Sequence, residues 1–407
     1  MTAHETHRIP GTPQGTIRIP LMKSTYFREE ETREALIAFL RSTNRLSMGE
    51  QCGAFEKAFA SKQKRKYAVM VGNGSQANLV LIQALLNTGR LKREDRVGIS
   101  SLTWPTNVMP ILQLGMLPVA IDCETTSMNV SSRQLEPHLD GIRAFFATNV
   151  LGFCADMDRI RALCRERDVL LIEDNCESLG SVHAGTLLGN FGLASTFSFF
   201  VGHHLSTIEG GMICTDDEEL WHMLIMIRAH GWDRNLPPAA QEAVRKRHGI
   251  DPFCAKYAFY ELAYNARPTE ISGFLGMHQL PMLEETLVQR ERNFKRFHAA
   301  TKEREDAYHT MDVTHMDRVA NFAMPIVCRE AKLYERLLQA FVDAGVEIRP
   351  IIAGDMTQHP FYRKYVPTPE PCPTASFIHA QGLYFPNHPE LTDEEVEMMC
   401  NLLRQAR

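Results

Sequence analysis

The chain has 407 residues, 44% hydrophobic and 23% charged, enough to bury a large core and to form two or more domains. Its formal net charge is -5 with acidic and basic residues mixed along the chain, which argues against a nucleic-acid or acidic-membrane binder and confines any basic ligand site to a local cluster. The ten cysteines are scattered, with neither a C-x-x-C pair nor a C-x-C cluster, so neither a zinc site nor an iron–sulfur centre is expected and the thiols read as reduced.

The N-terminus, Met1-Thr2-Ala3-His4-Glu5-Thr6-His7-Arg8, contains no apolar run, and no stretch of about 18 apolar residues follows, so a cytoplasmic protein is expected. Residues 1–26, rich in Pro, Gly and Thr toward their start, read as an irregular arm. Helical spacing covers Glu29 to Ser42. A buried strand at Tyr67 to Val71 is followed by the turn Gly72-Asn73-Gly74-Ser75 and a helix over Ala77 to Leu86. Further strands are predicted at Arg96 to Ser101, Leu117 to Asp122, Ala144 to Val150, Val169 to Glu173, Ser195 to Phe200 and Gly211 to Thr215, with a helix from Asp156 to Arg167. This alternation predicts an α/β fold around a mainly parallel sheet, in which ligands collect at the carboxyl ends of the strands.

The residues with chemical potential follow those strand ends. Asp174 emerges after Val169-Leu170-Leu171-Ile172-Glu173, where it either caps the next segment or holds a protonated ring nitrogen. Gly74 and Ser75 lie between strand and helix, where free N–H groups favour a phosphate, and Ser198 offers a second donor. Trp104 follows another strand and is either a core residue or a platform for a planar ring. His203 and His204 are adjacent and point in different directions, so they do not read as a metal pair.

Taken together, Gly74-Ser75, Trp104, Glu173-Asp174-Asn175-Cys176-Glu177, Ser198 and the Gly210-Gly211 strand resemble the DegT/DnrJ/EryC1/StrS sugar aminotransferase family. His203-His204, with Arg228-Ala229-His230-Gly231-Trp232 and Tyr264-Asn265-Ala266-Arg267-Pro268-Thr269-Glu270, resembles its dehydratase branch. The resemblance runs from about Ile19 to the end and implies a fold-type I, aspartate aminotransferase-like architecture dependent on pyridoxal phosphate. A large domain (27–270) would carry a seven-stranded mixed sheet, and a smaller α+β domain (271–407) would follow. It further implies a homodimer with shared active sites. In that frame Asp174 meets the pyridine nitrogen, Gly74, Ser75 and Ser198 the phosphate, and Trp104 the ring. Glu177 lies beside the cofactor, and Asn265 reaches the phosphate from the partner subunit.

His203 stands where the family's Schiff-base lysine is expected. A histidine cannot anchor the cofactor covalently, yet it carries a proton near neutral pH. The branch implies a lyase: a 3-dehydratase acting on a nucleotide-linked 4-keto-6-deoxyhexose, GDP-linked in the first instance, in a deoxysugar pathway. L-Glutamate would generate pyridoxamine phosphate, ammonia would leave, and His203 would act as both base and acid. Related iron–sulfur dehydratases carry grouped cysteines, whereas Cys254, Cys328, Cys372 and Cys400 are far apart, so no cluster and no reductase partner are expected. An aminotransferase is the alternative, opposed by the missing lysine. A non-catalytic relative is opposed by the retained Ser75, Asp174, Glu177 and Ser198. Arg349 is a further candidate for the sugar or the glutamate carboxylate, and His230 for a hydroxyl. Arg245-Lys246-Arg247 reads either as part of a mobile loop near a diphosphate or as a solvated face.

Overall fold

The structure, a computed structural model, describes residues 17–406. The strands are β1 (Tyr67–Val71), β2 (Arg96–Ser100), β3 (Leu117–Ile121), β4 (Ala144–Thr148), β5 (Leu170–Asp174), the two-residue β6 (Val182–His183) and β7 (Thr186–Leu187), β8 (Ala194–Ser198), β9 (Gly211–Thr215), β10 (Met316–Arg318), β11 (Ala323–Val327), β12 (Arg349–Pro350) and β13 (Gly382–Pro386). Seven of them form one sheet in the order β1-β9-β8-β5-β4-β2-β3, with β9 antiparallel to both neighbours and the other pairs parallel.

The short apolar strands have this form because both faces of the sheet are covered. Successive side chains enter different cores: Phe146 and Ile172 pack with Val71 and Ile99, while Phe145 and Leu171 pack on the other face with Ile121, Ile160 and Leu163. Helices α1 (Glu29–Ser42) and α2 (Glu50–Gln63) precede β1, and α3 (Gly74–Asn87) follows it. Helix α3 begins three residues before the expected apolar pattern because the Asn73 side chain accepts from Gln76 N at 2.9 Å and starts it.

The C-terminal part is α+β. Its antiparallel sheet, β11-β13-β12, is accompanied by the helices Leu283–Lys302, Ala331–Asp343 and Asp393–Gln405. Strand β10 instead joins the β6–β7 hairpin, with Met316 opposite His183. The loop after β2 is tied to the C-terminal part by a bridge between Leu102 and Asp355 and by Met356 N donating to Ser101 O at 2.9 Å.

Two expectations change. Of the arm, residues 1–16 lie outside the described residues, and residues 17–26 carry no helix or strand element yet are anchored: Ile19 is buried, and the Arg18 and Ile19 amides donate to Gly345 O. The basic stretch, read as part of a mobile loop or as a solvated face, is a helix, Pro238–His248, with no buried residue, with Pro at its start and Gly249 at φ 62 closing it. Those end signals outweigh its basic, polar composition.

Candidate active site

Parallel strands β4, β5 and β8 end side by side, with Thr148 and Thr196 flanking Asp174. Asp174 is buried, and its Oδ2 accepts from Asn78 Nδ2 and Asn107 Nδ2, each at 2.9 Å. Its Oδ1 accepts from Cys176 N at 2.9 Å. No helix follows Asp174, so it is not a helix cap. All these donors are neutral, and among the described residues no cation pairs with it. A buried carboxylate without a counter-ion is stabilised by a cationic group entering the cleft. Asn78 is itself fixed, accepting from Thr196 Oγ1 at 2.7 Å and donating to Thr106 Oγ1 at 3.2 Å. Neighbouring Glu173 has a structural part: fully buried, it accepts from the Gly189, Phe191 and Gly192 amides at 2.7–2.8 Å.

The start of α3 is held against β8 and β9 by absent side chains. A Cβ on Gly74 would lie 2.7 Å from Ser198 Cβ and 3.1 Å from Cys176 Sγ. One on Gly211 would lie 2.3 Å from Asn73 O. Gly74 and Gly211 therefore let the amino end of α3 approach Ser198. Ser75 is exposed on the first turn of α3, and its hydroxyl bonds no other described residue. Gly74, Ser75 and Ser198 thus frame the amino end of one helix, where free N–H groups suit an anion.

His203 lies in the loop after β8, its amide donating to Phe200 O at 2.9 Å. Its ring sits between Phe200 and Phe322, with centroids 5.8 and 5.2 Å away, and its Nδ1 is buried without a partner. Burial pushes its pKa down to about 4; the Asp174 charge and the Ser198 backbone oppose that, and the Arg290 charge reinforces it. The ring is neutral at pH 7, with an unengaged nitrogen. His204 turns away and bonds Ala320 O through Nε2 at 2.9 Å, a structural contact.

Arg290, from the helix Leu283–Lys302, is a residue the sequence did not reveal. It is 3% exposed and donates only to carbonyls: Phe322 O at 3.1 Å, Asn387 O at 2.5 Å and His203 O at 3.3 Å. It pins the His203 loop from beneath, and burial pulls its own pKa down to about 9. Asn78, Asn107 and Thr196 also carried no sequence signal, since their roles arise only where α3, the loop after β2 and β8 converge.

Glu177 accepts from Leu151 N at 2.9 Å, and burial lifts its pKa to about 8, with Asp174 adding to the rise. It holds a proton at neutral pH. Glu177 and Arg349 both act on Tyr384: burial is the main cause raising that phenol's pKa, Glu177 adds to it and Arg349 opposes it. Arg349 lies opposite Tyr384 in the β12–β13 pair and is ion-paired with Glu347 at 2.5 Å. Phe322 links this wall to His203, its ring 6.2 Å from Tyr384. Trp104 is 51% exposed on the loop after β2, close in sequence to Thr106 and Asn107 of the Asp174 network.

Asn265 and His230 lie elsewhere. Asn265 is exposed and bridges Ala229, and the His230 amide donates to Tyr264 O at 2.7 Å. His230 has φ 61 and its ring is 5.0 Å from Trp232. Asn265 lines a depression with Trp232, Arg234 and Arg267, and no contact joins either residue to Asp174 or His203 within the chain.

Cys154, His183 and His315 bring potential ligand atoms within 4.8 Å of one another. Three of the four histidine ring nitrogens are already engaged: His183 with His315 O and Asp158 Oδ1, both at 3.0 Å, and His315 Nε2 with Cys154 O at 2.8 Å. These contacts account for the cluster as a tie between β6, β10 and the helix Met157–Glu166.

Two curated relatives are named GDP-4-keto-6-deoxy-D-mannose 3-dehydratase. The one from Yersinia pseudotuberculosis is 34% identical, covering 96% of this chain and 99% of its own length. The one from Escherichia coli O55:H7 is 33% identical, covering 95% and 100%. A crystal structure of GDP-4-keto-6-deoxymannose-3-dehydratase with a trapped PLP-glutamate geminal diamine superposes with a TM-score of 0.87 at 32% identity, over 95% of this chain and 100% of the other. Residues 27–404 match the DegT/DnrJ/EryC1/StrS aminotransferase family, and the chain belongs to that family.

Proposed function

We propose that the chain is a pyridoxal-phosphate-dependent 3-dehydratase of GDP-4-keto-6-deoxy-D-mannose, a lyase of deoxysugar biosynthesis. The observation that carries this reading is His203: a neutral ring with a buried, unpartnered nitrogen in the loop after β8, beside an otherwise furnished site. The curated relatives support the substrate assignment.

The residues present fit the cofactor. Asp174 is a buried carboxylate lacking a cation and suits a protonated pyridine nitrogen, while Gly74, Ser75 and Ser198 suit its phosphate. When bound, pyridoxamine phosphate supplies an amino group and an electron-accepting ring. The remaining work falls to the protein. Neutral His203 takes up a proton at its free nitrogen and, once charged, returns it to the departing C3 hydroxyl. Trp104 supplies an exposed ring face, and Glu177, protonated at neutral pH, adds no negative charge beside Asp174. Overall, keto sugar plus L-glutamate yields the 4-keto-3,6-dideoxy sugar, 2-oxoglutarate and ammonia. The C3 oxygen lost as water is balanced by the water consumed in releasing the nitrogen.

The same reading makes the protein a cytoplasmic homodimer divided near residue 270, with Asn265 crossing to the partner's cofactor phosphate and Arg349 and His230 meeting substrate. It also places the enzyme in colitose formation for O-antigen. The test is to incubate the protein with pyridoxal phosphate, L-glutamate and GDP-4-keto-6-deoxy-D-mannose. A nitrogen-free sugar one oxygen lighter, with stoichiometric ammonia, is expected. An aminated sugar would make the protein an aminotransferase, and no turnover would favour a non-catalytic relative.

A further inference from the structure

We infer that Cys154, His183 and His315, none of which the cofactor site uses, bind a divalent cation of the zinc class. Cys154 Sγ and one ring nitrogen from each histidine lie within 4.8 Å of one another. With Zn–N of about 2.0 Å and Zn–S of about 2.3 Å, the ligand atoms of a tetrahedral zinc ion sit roughly 3.3–3.6 Å apart. The three side chains therefore have to close by at most about 1.5 Å to hold one ion.

The hydrogen bonds that tie this cluster together also orient it for a cation. A backbone carbonyl only accepts, so His315 donates from Nε2 to Cys154 O and keeps the lone pair on Nδ1, its ring nitrogen without a partner among the described residues. His183 donates from Nδ1 to His315 O, which leaves the lone pair of the neutral ring on Nε2. That Nε2 faces a second acceptor, Asp158 Oδ1, at 3.0 Å. A lone pair set against a carboxylate is repulsive until a positive centre lies between them. Both rings thus have the arrangement of a metal-bound histidine, in which one N–H is spent on a carbonyl that fixes the ring and the other nitrogen is left for the ion. Cys154, fully buried beside them, adds the soft ligand that favours zinc over calcium or magnesium. Binding would release its thiol proton to solvent. The Asp158 side chain is 61% exposed, so the ion enters on that side and water completes its coordination there.

Cysteine spacing gives no sign of such a site, because its ligands meet only in the folded chain. His183 and His315 are 132 positions apart and come together where β6 pairs with β10, with Met316 opposite His183. Cys154 lies in the loop after β4, the loop that also carries Leu151, whose amide donates to Glu177. An ion here joins that loop, the β6–β7 hairpin and the start of the C-terminal part, so its binding adds to the stability of the folded state.

The full-length, cofactor-loaded protein, stripped of metal with a chelator and freed of unbound cofactor, should be titrated with Co²⁺ and read as difference spectra, since a thiolate bound to Co²⁺ absorbs strongly in the near ultraviolet. Wild type is expected to show that band, to saturate at one ion per chain, to lose the band when Zn²⁺ is added, and to melt at a higher temperature with Zn²⁺ than without. C154S should lose the band. H315Q, which replaces a half-buried ring and decides the matter where C154S does not fold, should weaken Co²⁺ binding by about tenfold or more. C254S removes the exposed thiol and should titrate as wild type does. Absence of the band in wild type overturns the inference, as does a full band in C154S or wild-type Co²⁺ affinity in H315Q. A band lost in C254S assigns the ion to a surface thiol and overturns it as well.

Discussion

Replacing His203 by Gln should make the cofactor-free protein more tolerant of acid. The folded protein holds His203 at about 4, against 6.5 for the free side chain, mainly because the ring is buried. Between those values the unfolded chain binds a proton that the folded state refuses, so stability from this residue is fully present above pH 6.5 and is lost as the pH falls toward 4. At about pH 5 the loss is at most ~2 kcal/mol, and at about pH 7.5 it is close to zero. His203 retains some solvent exposure, so screening brings the expected figure to about 1–2 kcal/mol. His388, also held low by burial, contributes equally to both proteins and cancels; His204 is held low mainly by burial, and H203Q removes only the smallest of its causes, the His203 charge. Urea unfolding of both proteins at about pH 7.5 and about pH 5 measures the difference. If H203Q loses as much stability on acidification as wild type, His203 is not the desolvated neutral group described here.

Borohydride should fail to fix pyridoxal phosphate to the wild-type protein but should attach it covalently to residue 203 in H203K, read by mass spectrometry; covalent labelling of a wild-type lysine at the site would contradict the role given to His203. D174N replaces the uncompensated carboxylate by a neutral amide and should slow dehydration by about 10²-fold or more, whereas wild-type initial rates would remove Asp174 from the chemistry. G74A places a Cβ 2.7 Å from Ser198 Cβ, and should lower stability by about 1–3 kcal/mol and weaken cofactor retention; an unchanged melting temperature with and without cofactor would count against the close packing of α3 on β8.

The large sheet was readable because each strand is a short apolar run ending at a turn, and Phe145 and Phe146 serve opposite faces whichever way the chain is wound. Asp174 was readable for a related reason: it is the last residue of such a run. The residues that make it functional were not. Asn78 lies one turn into α3 and Asn107 beyond β2, and only the folded sheet brings both amides onto one carboxylate oxygen. The strands β6 and β7 are too short to show a period of two. The Pro238–His248 helix was hidden by its composition, although Pro and Gly marked its ends.

Arg290 shows what lies furthest from a sequence reading, because its effect on His203 is electrostatic and crosses 87 positions of chain. Asp174 and Arg290 are both buried without an ion-pair partner among the described residues, and their charges act on His203 in opposite senses. The imidazole thus feels a fixed anion that acts on it more strongly than the fixed cation does, yet burial outweighs both and holds it neutral. A lysine at the same position would meet the same burial and the same Arg290 charge. Both favour its unprotonated, nucleophilic form, the form needed for covalent attachment. Burial and the Arg290 charge therefore suit either residue at position 203, while the Asp174 charge favours the protonated form of both.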